Sequence, residues 1–145
     1  MTTFEFEDGP SPLDAASLRS SYIFIVAELA PEGVTQARRC HEEALRLETR
    51  PGEWRDMAWD CLARSHYLVG AADRARRMLR ETMDAEAAAP GAPDLDRMAG
   101  TRTWLALIAQ DAGCWDEAAV LVAEARRLRP QMGLDEAVHL SGNLP

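Results

Sequence analysis

Apolar positions along this chain recur at steps of three and four, and the interruptions fall at glycines and prolines, the pattern of amphipathic helices separated by turns. Residues 1–10 differ: Phe4 and Phe6 alternate with Glu5 and Glu7, which reads as an acidic, extended tail. Ser11-Pro12-Leu13-Asp14 has the chemistry of a helix start, with a capping hydroxyl, proline at the first helical position and an acid in the first turn. This first helix should reach about Ala30. Pro31-Glu32-Gly33 breaks it, and a second helix follows from Val34 to about Glu48. Arg50-Pro51-Gly52 is the next break, with Pro51 placed to open a third helix that reaches Val69. Gly70 then marks a tight turn into a fourth, from Ala72 to about Ala87. Ala89-Pro90-Gly91-Ala92-Pro93 is the clearest loop. Asp94 should cap a fifth helix ending near Ala112, Gly113 stops it, and Trp115 to Leu128 makes a sixth before Pro130. Residues 134–140 read as a short closing helix, and 141–145 as a frayed end. The expected class is all-α.

Six helices in three pairs suggest an internal repeat. Leu105-Ala106, Ala109, Gly113, Ala118, Val122, Ala125 and Pro130 follow one another at spacings that resemble the tetratricopeptide repeat: a large–small pair, a small residue, a turn glycine and a closing proline. Trp59, Leu62 and Ala63, followed by Tyr67, Gly70, Ala75 and Leu79, resemble the same motif. In the first pair, Ala37, His41 and Ala44 fit it more loosely. The alanines Ala37, Ala75 and Ala118 are separated by 38 and 43 residues, against about 34 in the family. The resemblance spans residues 18–132. It implies a right-handed array of three antiparallel hairpins, an α-solenoid with boundaries near 11–49, 51–88 and 94–129, capped by 134–140, all within one domain over 11–140. Independently of any family, small residues such as Ala63, Ala75, Ala106 and Ala118 would let helices approach closely. Trp59, Leu62, Leu79, Leu105 and Val122 would fill the space between them.

In such arrays the first helix of each hairpin lines a concave groove that holds a partner peptide or helix. Carried onto this chain, the groove residues would be Asp56, Asp60, Arg64, Tyr67 and Leu68 from the second hairpin. Thr103, Leu107, Gln110 and Asp111 would come from the third, and Tyr22, Val26 and Leu29 from the first. Spacings of four, four and three put Asp56, Asp60, Arg64 and Tyr67 on one helical face. Arg64 could fork onto a carboxylate of the guest; alternatively, Asp60 and Arg64 are a local i,i+4 pair contributing about 0.2–0.5 kcal/mol. The family's peptide-carboxylate clamp of lysines and asparagines is not carried over, since the chain has no lysine and its one asparagine is Asn143. In size and acidity the chain also resembles bacterial secretion chaperones built of these repeats.

Composition narrows the function classes further. There are 24 acids and 16 bases in 145 residues, a formal net charge of −8. All the bases are arginine, which excludes Schiff-base chemistry on a lysine and a lysine-bearing phosphate loop. An acidic chain is a poor ligand for polyanions. The one basic run, Arg74 to Arg80, reads as a solvated helix face with Asp73, Glu81 and Asp84 nearby, so no nucleic-acid partner is expected. No apolar run approaches a membrane span. Three cysteines, an odd number, point to a reducing cytoplasm, and the arginine and alanine bias to a GC-rich bacterial genome.

Cys40, His41, Cys61, His66, Cys114 and His139 invite a metal or thiol reading. Cys61 and His66, five apart on one helix, diverge around it, and Cys40 and His41 are adjacent. No paired-cysteine or HExxH spacing occurs. The expectation is therefore no metal, no cofactor and no catalysis, with the cysteines buried as small apolar residues. The function class expected is a protein-binding module. A self-associating protein, such as a homodimer with a structural or regulatory role, is the main alternative, and a ligand- or metal-dependent helical enzyme is a third.

Overall fold

A computed structural model describes residues 15–29 and 32–130 of the chain. They form six α-helices: α1 Ala15–Leu29, α2 Val34–Leu47, α3 Glu53–Leu68, α4 Ala72–Glu86, α5 Leu95–Asp111 and α6 Trp115–Leu128. No strand occurs among the described residues, which are all-α. The tail 1–10, the helix start at Ser11, the closing helix 134–140 and the end 141–145 lie outside the described residues. The chain divides into two compact units, and the boundary falls inside α3, between Ser65 and His66.

In the first unit α1 packs on α2, and the Ser20 hydroxyl donates to the Ala44 carbonyl at 2.8 Å. Ala44, Ala58 and Cys61 make the buried contact, with Ile23 and Leu45 packed against it. The end of α2 is closed from outside: the Arg55 guanidinium donates to the Leu45 carbonyl at 3.0 Å and to the Glu48 carbonyl. These are the C-terminal oxygens a helix leaves without an internal partner. The third helix starts at Glu53, two residues later than the Pro51 start expected from the sequence. Gly52 occupies the capping place instead, its carbonyl accepting from Asp56 N at 3.0 Å. Glu53 and Asp56 then place acids in the first turn, where the helix dipole favours them.

In the second unit α5 packs on both α4 and α6. Ala75, Leu79, Ala99, Leu105, Ala106, Ile108, Ala109, Ala118, Leu121 and Ala125 are buried. Val122, expected to fill the interior, is exposed, and Leu121 takes that place. Ala118, Leu121 and Ala125 follow at steps of three and four, so one helical face holds all three and Val122 lies off its flank. Asp94 caps α5 as expected, accepting from Arg97 N at 3.0 Å. The turns after α3 and α5 are built alike. Gly70 N donates to the Tyr67 carbonyl and Ala71 N to the His66 carbonyl, at 3.0 and 2.8 Å. Gly113 N donates to Gln110 and Cys114 N to Ala109, at 2.9 and 2.8 Å. Both are Schellman closures, which need a left-handed residue where the helix ends; Gly70 has φ 90° and Gly113 φ 77°.

Candidate functional site

The residues expected to line the groove divide between the two units. In the first, Asp56 is exposed on α3, and Val26 on α1 and Asp60 on α3 are half-buried. Tyr22 belongs to α1, but its side chain is outside the described set. Arg64 is half-buried and turned inward: its Nη2 donates to Cys61 Sγ at 3.3 Å, and its Nε makes a long 3.4 Å contact with the Asp60 carbonyl.

In the second unit Tyr67 and Asp111 are brought together, the tyrosine hydroxyl donating to the Asp111 carboxylate. Trp104, one place from Thr103 in sequence, stands edge-on to Tyr67 with ring centroids 5.9 Å apart and planes at 72°, a favoured aromatic geometry. The hydrogen bond to Asp111, with a smaller contribution from burial, raises the Tyr67 pKa to about 12. Leu107 and Gln110 are half-buried beside this cluster in sequence, Leu68 is 58% exposed, and Thr103 donates back to the Ala99 carbonyl at 2.9 Å. The basic run on α4 is partly tied down: Arg76 Nη2 lies 2.9 Å from both oxygens of Glu117 on α6, and Arg80 donates to the same carboxylate.

A second constellation sits in the first unit, and sequence spacing did not predict it. His41 of α2, Cys61 and Ser65 of α3, and Glu28 of α1 meet at one place. His41 Nδ1 is 3.2 Å from Ser65 Oγ, and His41 Nε2 is 3.3 Å from Glu28 Oε1. The Ser65 hydroxyl donates to the Cys61 carbonyl at 2.9 Å. One ligand atom each from Glu28, His41 and Cys61 lies within 4.8 Å of the others. His41, Cys61 and Ser65 are buried, while the Glu28 side chain is 55% exposed, so the cluster has a dry floor and a wet mouth. Burial lowers the His41 pKa, against the opposing pull of Glu28. Burial likewise pushes the Cys61 thiol up to about 11, although the Arg64 charge acts to lower it.

A search against protein-family models and a search of curated proteins find no match to this chain.

A serine–histidine–acid order is present in Ser65, His41 and Glu28, but the accessibility is inverted. An attacking serine must meet substrate, and its acid partner orients the imidazole from within. Here Ser65 is buried with its hydroxyl on a main-chain carbonyl, and Glu28 is the exposed member. A thiol held near 11 is likewise a weak nucleophile at neutral pH. The cluster's chemistry is that of three electron-pair donors around a small space. Elsewhere in this unit a cleft of about 240 Å³ opens between α2 and α3, lined by Trp54, Glu48, Arg50 and Arg55. Its charged groups are engaged locally: Glu48 Oε1 accepts from Arg50 N at 3.1 Å, and Arg55 reaches the α2 carbonyls.

Proposed function

We propose that this chain is a non-catalytic protein–protein interaction module, an adaptor or chaperone-like protein. In this reading tandem tetratricopeptide-like hairpins hold a partner peptide or helix along their first helices. The observation that carries it is the meeting of Tyr67 on α3 with Trp104 and Asp111 on α5. Successive first helices would be neighbours in such an array, and these three side chains link them. The identical closures at Gly70 and Gly113 also favour a repeated hairpin. Tyrosine and tryptophan supply large contact area at low entropic cost, which suits a binding wall.

The test is selection of the full chain against a random-peptide display library. A shared sequence pattern should emerge, and Leu68→Gln should weaken the selected peptides about tenfold, the loss expected when a leucine contact of about 1.5 kcal/mol is removed. Leu68 is exposed, so helix content should not change. No enriched pattern, or peptides indifferent to Leu68→Gln, would refute the groove.

Self-association is a second reading, favoured by one observation. Trp115, Ala119 and Val122 follow at steps of four and three on α6, and all three are exposed, Trp115 at 61%. Sedimentation equilibrium separates the two: a concentration-independent monomer leaves only the peptide groove.

A further inference from the structure

We propose that Glu28, His41 and Cys61 form a binding site for one borderline-soft divalent transition-metal ion of the zinc class, with a carboxylate oxygen, Nε2 and Sγ as its protein ligands. This inference is independent of the groove. It begins with the protons. A serine hydroxyl has one hydrogen, and that of Ser65 is directed to the Cys61 carbonyl. The remaining polar contact of Ser65, 3.2 Å from His41 Nδ1, is therefore satisfied when Nδ1 carries the ring proton and donates. The Nε2 lone pair then faces the Glu28 carboxylate at 3.3 Å. Two electron pairs at that separation need a positive centre between them, either a proton or a metal ion.

Three features favour the metal. First, the donor set combines nitrogen, sulfur and oxygen, which matches zinc-class ions and not the all-oxygen shells of calcium or magnesium. Second, the distances fit. Zinc bonds of about 2.0–2.1 Å to nitrogen and oxygen set those two ligands about 3.3 Å apart in a tetrahedron, and His41 Nε2 and Glu28 Oε1 are separated by 3.3 Å. A bond of about 2.3 Å to sulfur asks for edges of about 3.6 Å, and the three ligand atoms already lie within 4.8 Å of one another, so the sulfur edges close with side-chain shifts of about an ångström or less. Third, the surroundings are those of a metal ligand's support. The second ring nitrogen of His41 is fixed by Ser65, and the Arg64 guanidinium donates to the cysteine sulfur at 3.3 Å. Three protein ligands leave a fourth position, which would open on the exposed side of Glu28, so water or a small ligand could occupy it. On binding, the Cys61 thiol gives its proton to solvent and the thiolate joins the ion, with no change of oxidation state.

The reduced, chelator-treated full chain is titrated with Co²⁺ as a spectroscopic substitute for Zn²⁺. One equivalent should produce a thiolate-to-cobalt charge-transfer band with the visible bands of a tetrahedral ion, and Zn²⁺ should abolish both. Cys61→Ser should remove the charge-transfer band although Cys40 and Cys114 remain. Glu28→Gln, at an exposed side chain, should weaken Co²⁺ binding at least tenfold with an unchanged circular dichroism spectrum. A wild-type chain without the band, a band that survives Cys61→Ser, or uptake of several equivalents without a sulfur band each overturns the proposal. If Cys61→Ser loses its helix signal, Glu28→Gln decides, and unchanged affinity there overturns it.

Discussion

The tyrosine at position 67 shows how much one hydrogen bond can fix. Its hydroxyl is held by Asp111, its ring by Trp104, and its proton is retained up to a pH of about 12. The chain has only two tyrosines, so a phenolate absorbance titration resolves them. Tyr67 should ionise last, near 12, and Asp111→Ala should bring it back toward the ordinary value of about 10. The sign of the linkage follows. A tyrosine whose folded pKa lies above its unfolded one adds stability that is fully present below about pH 10 and is lost as pH rises through the folded value. An unshifted titration in Asp111→Ala would mean that the carboxylate is not the partner in solution. The helical spacing of Asp56, Asp60, Arg64 and Tyr67 singled out Tyr67 in the sequence. It did not reveal Trp104, whose role depends on how two helices cross. Nor did it reveal that Arg64 turns toward Cys61 Sγ, a contact between residues only three apart.

At the scale of elements, turn chemistry was the most legible part of the sequence, because it is local. Gly70 and Gly113 end their helices as predicted, Asp94 caps α5, and α6 runs from Trp115 to Leu128 as read. The Pro51 start failed because the alternative cap was adjacent: Gly52 offers its carbonyl to Asp56 N, and the proline stays outside the helix. The two Schellman glycines make a matched pair for measurement. No side chain or backbone atom would crowd a Cβ at either position, so the cost of alanine is conformational alone. Gly70→Ala and Gly113→Ala should each lower unfolding free energy by about 1 kcal/mol in urea. A much larger loss at one of them would show that the two turns are not equivalent. The Glu28–His41–Cys61 cluster was illegible for the opposite reason. Comparing cysteines and histidines along single helices finds no ligand spacing, whereas the three side chains converge from three different helices.

At the scale of the whole molecule, each of the two units combines a small-residue interior with buried polar side chains. In the first, the buried polar side chains are Ser20, His41, Glu48 and Ser65. The second buries an alanine- and leucine-rich face together with His66, Thr82 and Thr101, and its three helices also meet at one arginine. Arg102 on α5 reaches Glu86 on α4 at 2.9 Å and Glu124 on α6 at 3.1 Å, and it also donates to the Met98 carbonyl at 3.0 Å. Its side chain is 12% exposed and that of Glu86 is 13%. An ion pair this withdrawn from water contributes little beyond what a well-packed apolar side chain would, but breaking it strands the remaining charges. Arg102→Ala should therefore destabilise the chain by about 3 kcal/mol, a large part of the 5–15 kcal/mol typical of a domain. Arg102→Met with Glu86→Leu, which removes both sides of the α4–α5 pair, should recover much of that loss. Urea unfolding of the two variants checks both statements. If Arg102→Ala costs under 1 kcal/mol, the network is an exposed one screened by water, and the α4–α5–α6 packing rests on the alanine face alone.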